Sequence, residues 1–199
     1  MMKTMKKSLF SFAVLILVGA NLIGCKNKPV DINNDTKVDS VIVENDTTYL
    51  SAINYYFVNE IGKNYSSGKY CVPSYSIVAV NESNADSILV WGDFWVFNYN
   101  LAGDTLKTVS GGSHPGLIYI CKTEKGYEVA RFDQVVDGAG NLESAKKIFG
   151  DKYDTFHAIN SDEKKREQTR AEFLSDYVKK QNIKASMYQD EGWPAKKLP

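Results

Sequence analysis

The stretch SILVWGDFWVFNYNL, residues 87–101, is rich in β-branched and aromatic side chains. Such residues favour extended backbone. Successive side chains of a strand point to opposite faces, and here the residues on both faces are largely apolar. A strand that is apolar on both faces is typically covered on both sides. The segment therefore predicts a long central strand of a β-sheet.

Shorter segments around this strand also have strand-like composition, and short connections join them. They are residues 74–81, 104–110, 116–123 and 127–136. Short connections favour antiparallel neighbours, because parallel strands need a crossover of a dozen residues or more. The sequence thus predicts an antiparallel meander of four to five strands.

Helical periodicity occurs on both sides of the predicted sheet. Residues 48–63 carry apolar side chains at offsets 0, 3, 7 and 11, which is one face of an α-helix. After the sheet, residues 142–149 and 162–181 have the same type of pattern. The first half of the last helix, DEKKREQTR, is polar all round and is interpreted as a solvated face. The expected fold class is α+β, with an N-terminal helix packed on a curved antiparallel meander and C-terminal helices after it.

The first 24 residues have the layout of an export signal. Three lysines precede an apolar run from Leu9 to Ala20, and small residues follow it. The run is shorter than the about 20 residues that a transmembrane helix needs. The segment therefore predicts export of the chain.

The end of this segment, Leu22-Ile23-Gly24-Cys25, resembles the bacterial lipobox. In lipoproteins the cysteine thiol is acylated with diacylglycerol, the signal is cut before it, and the new amino group is acylated. The resemblance implies lipidation of Cys25 and a membrane partner that is reached through acyl chains. Lys26 follows where an inner-membrane lipoprotein has aspartate, so the outer membrane, facing the periplasm, is favoured. The alternative is a signal-anchor with an incidental cysteine.

The predicted organisation has three parts. Residues 1–24 are the lipoprotein signal peptide, and residues 25–47 are the lipidated cysteine and a flexible tether rich in Asn, Asp, Lys and Thr. Residues 48–199 form a single α+β domain, a length that is usual for one domain.

Charge and motifs exclude several classes of function. The signal holds three of the 24 basic residues and none of the 24 acidic ones, so the mature chain has net charge −3. Nucleic acid is not expected as a partner, because binding phosphates requires a basic surface. The two histidines are 43 residues apart and belong to no Cys/His cluster, so no metal site is predicted. Signatures of hydrolases and dinucleotide-binding proteins are absent, and no cofactor is expected.

The order of elements is similar to the cystatin-like and nuclear transport factor 2-like α+β folds. The residues that carry the resemblance are the strands within 74–136 and one helix face. That face is formed by Leu50, Ile53, Phe57 and Ile61. The resemblance implies a curved sheet that wraps the helix and can leave a conical pocket. Some members with such a pocket use an acidic residue to abstract a proton.

Asp93 is the strongest candidate for chemistry. It shares one predicted strand face with Trp91 and Trp95, which are candidate ligand-binding residues. A carboxyl group in apolar surroundings has a raised pKa and can act as a general base, with His114 or a tyrosine as the acid. Alternatively, Gly92-Asp93 marks a bend, and Asp93 is exposed or bonded to backbone amides.

Weaker candidates lie elsewhere in the predicted sheet. His114 is in the stretch SGGSHPG, which either presents backbone amides to an anion or is a flexible connection. Arg131 and Asp133 alternate on one strand face and either orient a ligand or are surface charges. Cys71 and Cys121 either form a disulfide, because the cell envelope is oxidising, or are two buried free thiols.

The leading hypothesis is a membrane-anchored envelope lipoprotein that acts as a non-enzymatic binding module. Its partner would be an unknown envelope protein or a small ligand. The alternative is a small-molecule isomerase or lyase with Asp93 as general base. A third hypothesis is a structural role in the envelope, with the helix over residues 162–181 as docking element.

Overall fold

The computed structural model describes residues 48–84 and 86–199. The predicted signal peptide, the lipobox with Cys25 and the tether lie outside these residues. In the part of the chain that is described, no helix is both long enough and apolar enough to cross a membrane.

Within these ranges the fold is α+β, as predicted, with four α-helices and a seven-stranded sheet. The helices are α1 (Tyr49–Tyr56), α2 (Asn141–Phe149), α3 (Tyr153–Ser161) and α4 (Glu163–Lys180). The strands are β1 (Tyr70–Asn84), β2 (Ser87–Ala102), β3 (Thr105–Ser113), β4 (Gly116–Thr123), β5 (Gly126–Gln134), β6 (Met187–Gln189) and β7 (Lys196–Lys197). Helix α1 continues as a π-helix over Phe57–Ile61 and a 3-10 turn over Gly62–Asn64.

The sheet is mostly antiparallel, but it is not the predicted meander. Strand β1 pairs with β2 along one edge, while β3 and β4 both pair with the opposite edge of β2 and not with each other. The 16 residues of β2 make it long enough to receive these two shorter strands end to end. The predicted strand count is also too low, because the C-terminal tail adds β6, parallel to β3, and β7.

Strand β2 is central and covered on both faces, as its composition predicted. On one face, Phe94 and Val96 are fully buried against Ile53 and Phe57 of the N-terminal helical segment. On the other face, Tyr99 packs with the C-terminal half of α4, while Trp91 packs with residues of α2 and α3. The C-terminal helices therefore lie over the face that carries Asp93.

Helix α3, which contains His157, was not predicted. It is nine residues long, and Phe156 is its one buried residue. Phe156 stacks on Phe149 of α2, with ring centroids 4.0 Å apart. A helix of nine residues with a single buried residue leaves little hydrophobic periodicity in the sequence.

Cys71 and Cys121 do not form the disulfide that was one of their two expected states. Cys71 is opposite Asn98 of β2 and Cys121 is opposite Ser87, eleven positions away along the same strand. That spacing separates them by roughly 35 Å, whereas bridged cysteines have Cα atoms less than about 7 Å apart. The Cys71 thiol is free, and burial raises its pKa to about 11.

Candidate functional site

The candidate site lies where β2 changes its neighbour on one edge. Trp95 is paired with Ser113 at the end of β3, and Gly92 is paired with Gly116 at the start of β4. Residues 93 and 94 of β2 therefore face the point at which β3 and β4 diverge. We call this point the strand fork and define it as residues 92–95 together with residues 113–116. The His114 amide donates a hydrogen bond of 2.7 Å to the Phe94 carbonyl across it.

Asp93 is completely buried at the fork and is bonded to side chains from three elements. Its Oδ1 accepts a 3.3 Å hydrogen bond from Ser113 Oγ, and its Oδ2 accepts one of 3.0 Å from Asn160 Nδ2 of α3. Arg166 Nε of α4 lies 3.3 Å from the same Oδ2. Burial raises the pKa of Asp93, although the Asn160 hydrogen bond and the Arg166 charge oppose that increase. Asp93 is thus buried and bonded to side chains, which differs from both forms of the alternative, an exposed carboxylate or one bonded to backbone amides.

Trp91 and Trp95 lie on the same face as Asp93, as predicted, and both are engaged by the C-terminal helices. Trp91 Nε1 donates a 3.0 Å hydrogen bond to the Ile148 carbonyl of α2. Trp95 is buried, and the Arg166 guanidinium carbon is 5.1 Å from the centroid of its ring. The two tryptophans therefore contribute to the contact between the sheet and the helices.

Three buried polar atoms between the sheet and the C-terminal helices have no hydrogen-bond partner within residues 48–84 and 86–199. They are Ser74 Oγ, Trp95 Nε1 and Arg166 Nε. Ser74 of β1 is paired with Trp95 across the sheet, so both side chains lie on the α4 side. Arg166 Nε is within ion-pair distance of Asp93, but its N–H is not in hydrogen-bond geometry. We call these three groups the donor set.

His114 lies on the opposite face of the sheet from Asp93, among residues that follow or belong to the α1 segment. Its Nδ1 is 3.1 Å from Gln134 Oε1, which can only accept, so this nitrogen carries the proton. Tyr65 Oη donates to Nε2 over 2.8 Å, and the Phe57 ring is 6.1 Å from the imidazole. Burial lowers the pKa of His114. The structure therefore does not bring His114 and Asp93 together as an acid–base pair.

Most of the stretch SGGSHPG is strand rather than connection. Residues 110–113 belong to β3, and a Cβ atom at Gly112 would clash with the Tyr65 hydroxyl. Close packing on Tyr65 thus explains one of the two adjacent glycines.

Arg131 and Asp133 lie on β5 at the edge of the sheet. Their side chains form a 2.7 Å ion pair and are exposed, and the Arg131 guanidinium lies 4.0 Å from the Tyr119 ring centroid. They are surface charges that pair with each other. The described residues contain no group of three or more His, Cys, Asp or Glu side chains arranged to hold a metal ion.

Two arginines of α4 were missed, because DEKKREQTR was interpreted as a solvated face. Arg166 reaches Asp93, and Arg170 forms two hydrogen bonds, of 2.8 and 3.0 Å, with Asp190 of the C-terminal tail. Arg170 also donates to Tyr99 Oη over 2.9 Å and to Thr108 Oγ1 over 2.8 Å. The available signal was the four-residue spacing, since positions 166 and 170 continue the stripe formed by the buried Leu174 and Val178.

Comparison with known proteins gives no relative. No protein-family model matches the chain, and no curated protein or solved structure is significantly similar to it.

Proposed function

We propose that this chain is a lipoprotein of the bacterial cell envelope, anchored through acyl chains on Cys25, whose folded domain is a non-enzymatic binding module. The lipobox-like Leu22–Cys25 supports the anchor, and Lys26 supports the outer membrane, facing the periplasm. Residues 25–47 would be the tether, and the partner would be an envelope protein or a small ligand. The environment of Asp93 supports the assignment as a binding module.

The observation that carries a non-enzymatic function is that both carboxylate oxygens of Asp93 are occupied. Ser113 donates to one, and Asn160 donates to the other. A general base must reach the proton that it abstracts, directly or through one water molecule. Asp93 has zero exposure, and the helices that carry Asn160 and Arg166 lie over it.

An isomerase or lyase with Asp93 as general base is the second candidate. It is favoured by the pKa of Asp93, which burial raises. However, Asn160 and Arg166 already occupy the Oδ2 atom of Asp93, and Ser113 occupies Oδ1, so neither oxygen is free to accept a substrate proton. His114, which together with a tyrosine was a candidate for the acid, is on the other face of the sheet. These contacts favour binding over catalysis.

We also propose a relationship to the cystatin-like and nuclear transport factor 2-like folds. Support comes from the N-terminal helical segment, whose Ile53 and Phe57 pack on the buried face of β2. Helices α2 to α4, which pack on the opposite face, are an addition to that arrangement.

The anchor is tested by labelling cells that produce the full chain with radioactive palmitate. We expect label in the wild-type protein and in a Cys71→Ala variant, which keeps the lipobox cysteine. A Cys25→Ala variant should stay unlabelled and should be released by washing with salt. Label in Cys25→Ala, or its absence from wild type, would reject lipidation at this residue.

The non-enzymatic assignment is tested with the purified mature protein in detergent. We expect no turnover when pools of small hydroxy acids, enols and ketones are incubated with it and analysed by mass spectrometry. Turnover that is abolished by Asp93→Asn would replace the proposal with the isomerase or lyase alternative.

A further inference from the structure

The face of the sheet beneath the C-terminal helices is not uniformly apolar. One apolar cluster surrounds Phe149 and Phe156, and another surrounds Tyr99 and Leu174. Between them lies a polar region around Asp93 that contains the donor set. Buried polar groups in folded proteins are nearly always hydrogen-bonded, to protein, to water or to a ligand. The polar region around Asp93 can therefore bind an additional molecule that supplies the missing hydrogen-bond partners.

The chemistry of the donor set restricts what can bind. The Trp95 indole and the Arg166 guanidinium can only donate hydrogen bonds, and the Ser74 hydroxyl can donate one. Ser74 and Trp95 are 2% and 3% exposed, so bulk water does not satisfy them. The missing group must supply hydrogen-bond acceptors.

The nearby charges and the apolar clusters restrict the class of ligand further. Arg166 provides a positive charge, but Asp93 is within 3.3 Å of it, so a dianion such as phosphate would be repelled by the buried carboxylate. A single negative charge shared with the guanidinium is less costly to bury. The apolar clusters on both sides suit a short hydrocarbon chain.

We propose that the donor set binds a small organic monocarboxylate between β1, β2 and α4. Its carboxylate oxygens accept hydrogen bonds from Trp95 Nε1, Ser74 Oγ and Arg166 Nε, and its hydrocarbon part packs against one of the flanking clusters. This inference rests on the proposed binding function and names the class of ligand. Because the donor set is buried, the ligand enters when α4 separates locally from β1, and exchange is slow.

The chain offers a direct readout, because it has three tryptophans in different environments. The Trp91 indole N–H is hydrogen-bonded to Ile148, Trp193 is 66% exposed, and Trp95 belongs to the donor set. We would label the mature protein in detergent with ¹⁵N-tryptophan and record the three indole N–H signals during titration with butyrate. Trp95→Phe assigns the Trp95 signal, and unchanged Trp91 and Trp193 signals show that this variant is folded.

We expect butyrate to replace the Trp95 signal by a second, downfield signal, as a new hydrogen bond requires, while the Trp91 and Trp193 signals stay in place. Ser74→Ala should weaken butyrate binding by about 3- to 10-fold, the loss that one hydrogen bond gives. Trp193→Phe is the matched control and should leave the affinity unchanged. Butyramide, which is neutral, and inorganic phosphate should bind more weakly than butyrate.

A Trp95 signal that butyrate leaves unchanged at tens of millimolar, together with a cross-peak to a long-lived water, would overturn the proposal in favour of a buried water. Stronger binding of phosphate than of butyrate would overturn the ligand class. Neither result would affect palmitate labelling of Cys25 or the turnover test, so failure of this inference is distinguishable from failure of the proposed function.

Discussion

Arg166 Nε lies 3.3 Å from Asp93 Oδ2, and the two partners of this ion pair differ in their access to solvent. The Asp93 side chain is 0% exposed, whereas that of Arg166 is 27% exposed. A guanidinium that loses its partner can turn toward water, but a carboxylate at the centre of the sheet cannot. The consequences of removing each partner are therefore unequal.

The first prediction concerns this inequality at pH 7. Arg166→Met should lower the free energy of unfolding by about 3 kcal/mol, because it leaves a buried carboxylate uncompensated. Asp93→Asn should change it by less than about 1 kcal/mol, because burial of a charge is removed together with the ion pair. The double variant should recover most of the loss caused by Arg166→Met. Urea unfolding of the four proteins measures this, and equal losses for the two single variants would contradict it.

The second prediction is the pH dependence that Asp93 introduces. Burial raises the native pKa of Asp93 above its ordinary value of 3.8, so the native state binds its proton more tightly than the unfolded state. The stability that this group contributes is fully present below about pH 3.8 and is lost as pH rises through the raised native pKa. The stability of wild type relative to Asp93→Asn should therefore fall as pH rises and then level off.

Urea unfolding of both proteins between pH 3.5 and 8 checks this sign. Other carboxyl groups are common to the two proteins, so their contributions cancel in the difference. A relative stability that rises with pH would contradict the prediction. It would mean that Arg166, Asn160 and Ser113 together lower the pKa of Asp93 by more than burial raises it.

Local features of the fold were predictable from local sequence. The central strand was expected over residues 87–101 and is observed over Ser87–Ala102, because its composition alone favours a buried extended segment. The choice of partners was not predictable in this way. The length of β2 was expected, but whether β4 pairs with β3 or returns to β2 also depends on the packing of both faces of the sheet, which no single segment encodes.

At the candidate site, too, local sequence predicted the strand face but not the partners that come from distant elements. Alternation along β2 placed Trp91, Asp93 and Trp95 on one face, and they do lie there. The environment of Asp93 depends on Asn160 and Arg166, which are 67 and 73 positions later in the chain. The polar sequence around Arg166 concealed its inward orientation, because long arginine side chains can bury their stems and still carry charge.

The third prediction separates the serines of the site. Ser74→Ala should raise the free energy of unfolding by about 1 kcal/mol, because it removes a buried hydroxyl that has no partner among the described residues. Ser113→Ala is the matched control and should lower it by about 1 kcal/mol, because Ser113 Oγ donates to Asp93. Both are measured by urea unfolding in buffers free of carboxylates. A loss of stability for Ser74→Ala would show that its hydroxyl is already satisfied.

The last prediction concerns the contact that fixes the C-terminal tail. The Arg170 side chain is 12% exposed, and its two terminal nitrogens bind the two oxygens of Asp190. Lysine retains the charge but cannot reproduce this paired geometry. Arg170→Lys should therefore lower the free energy of unfolding by about 2 kcal/mol.

The loss should also appear locally, in hydrogen exchange. The Leu198 amide, which donates to the Ser186 carbonyl within the tail, should exchange faster in Arg170→Lys, while the His114 amide at the strand fork should change little. Lys63→Ala is the control, because Lys63 and its partner Glu60 are both more than half exposed and its removal should cost less than about 1 kcal/mol. If Arg170→Lys and Lys63→Ala have equal effects, the bidentate contact does not hold the tail, and the pairing of β6 with β3 must do so instead.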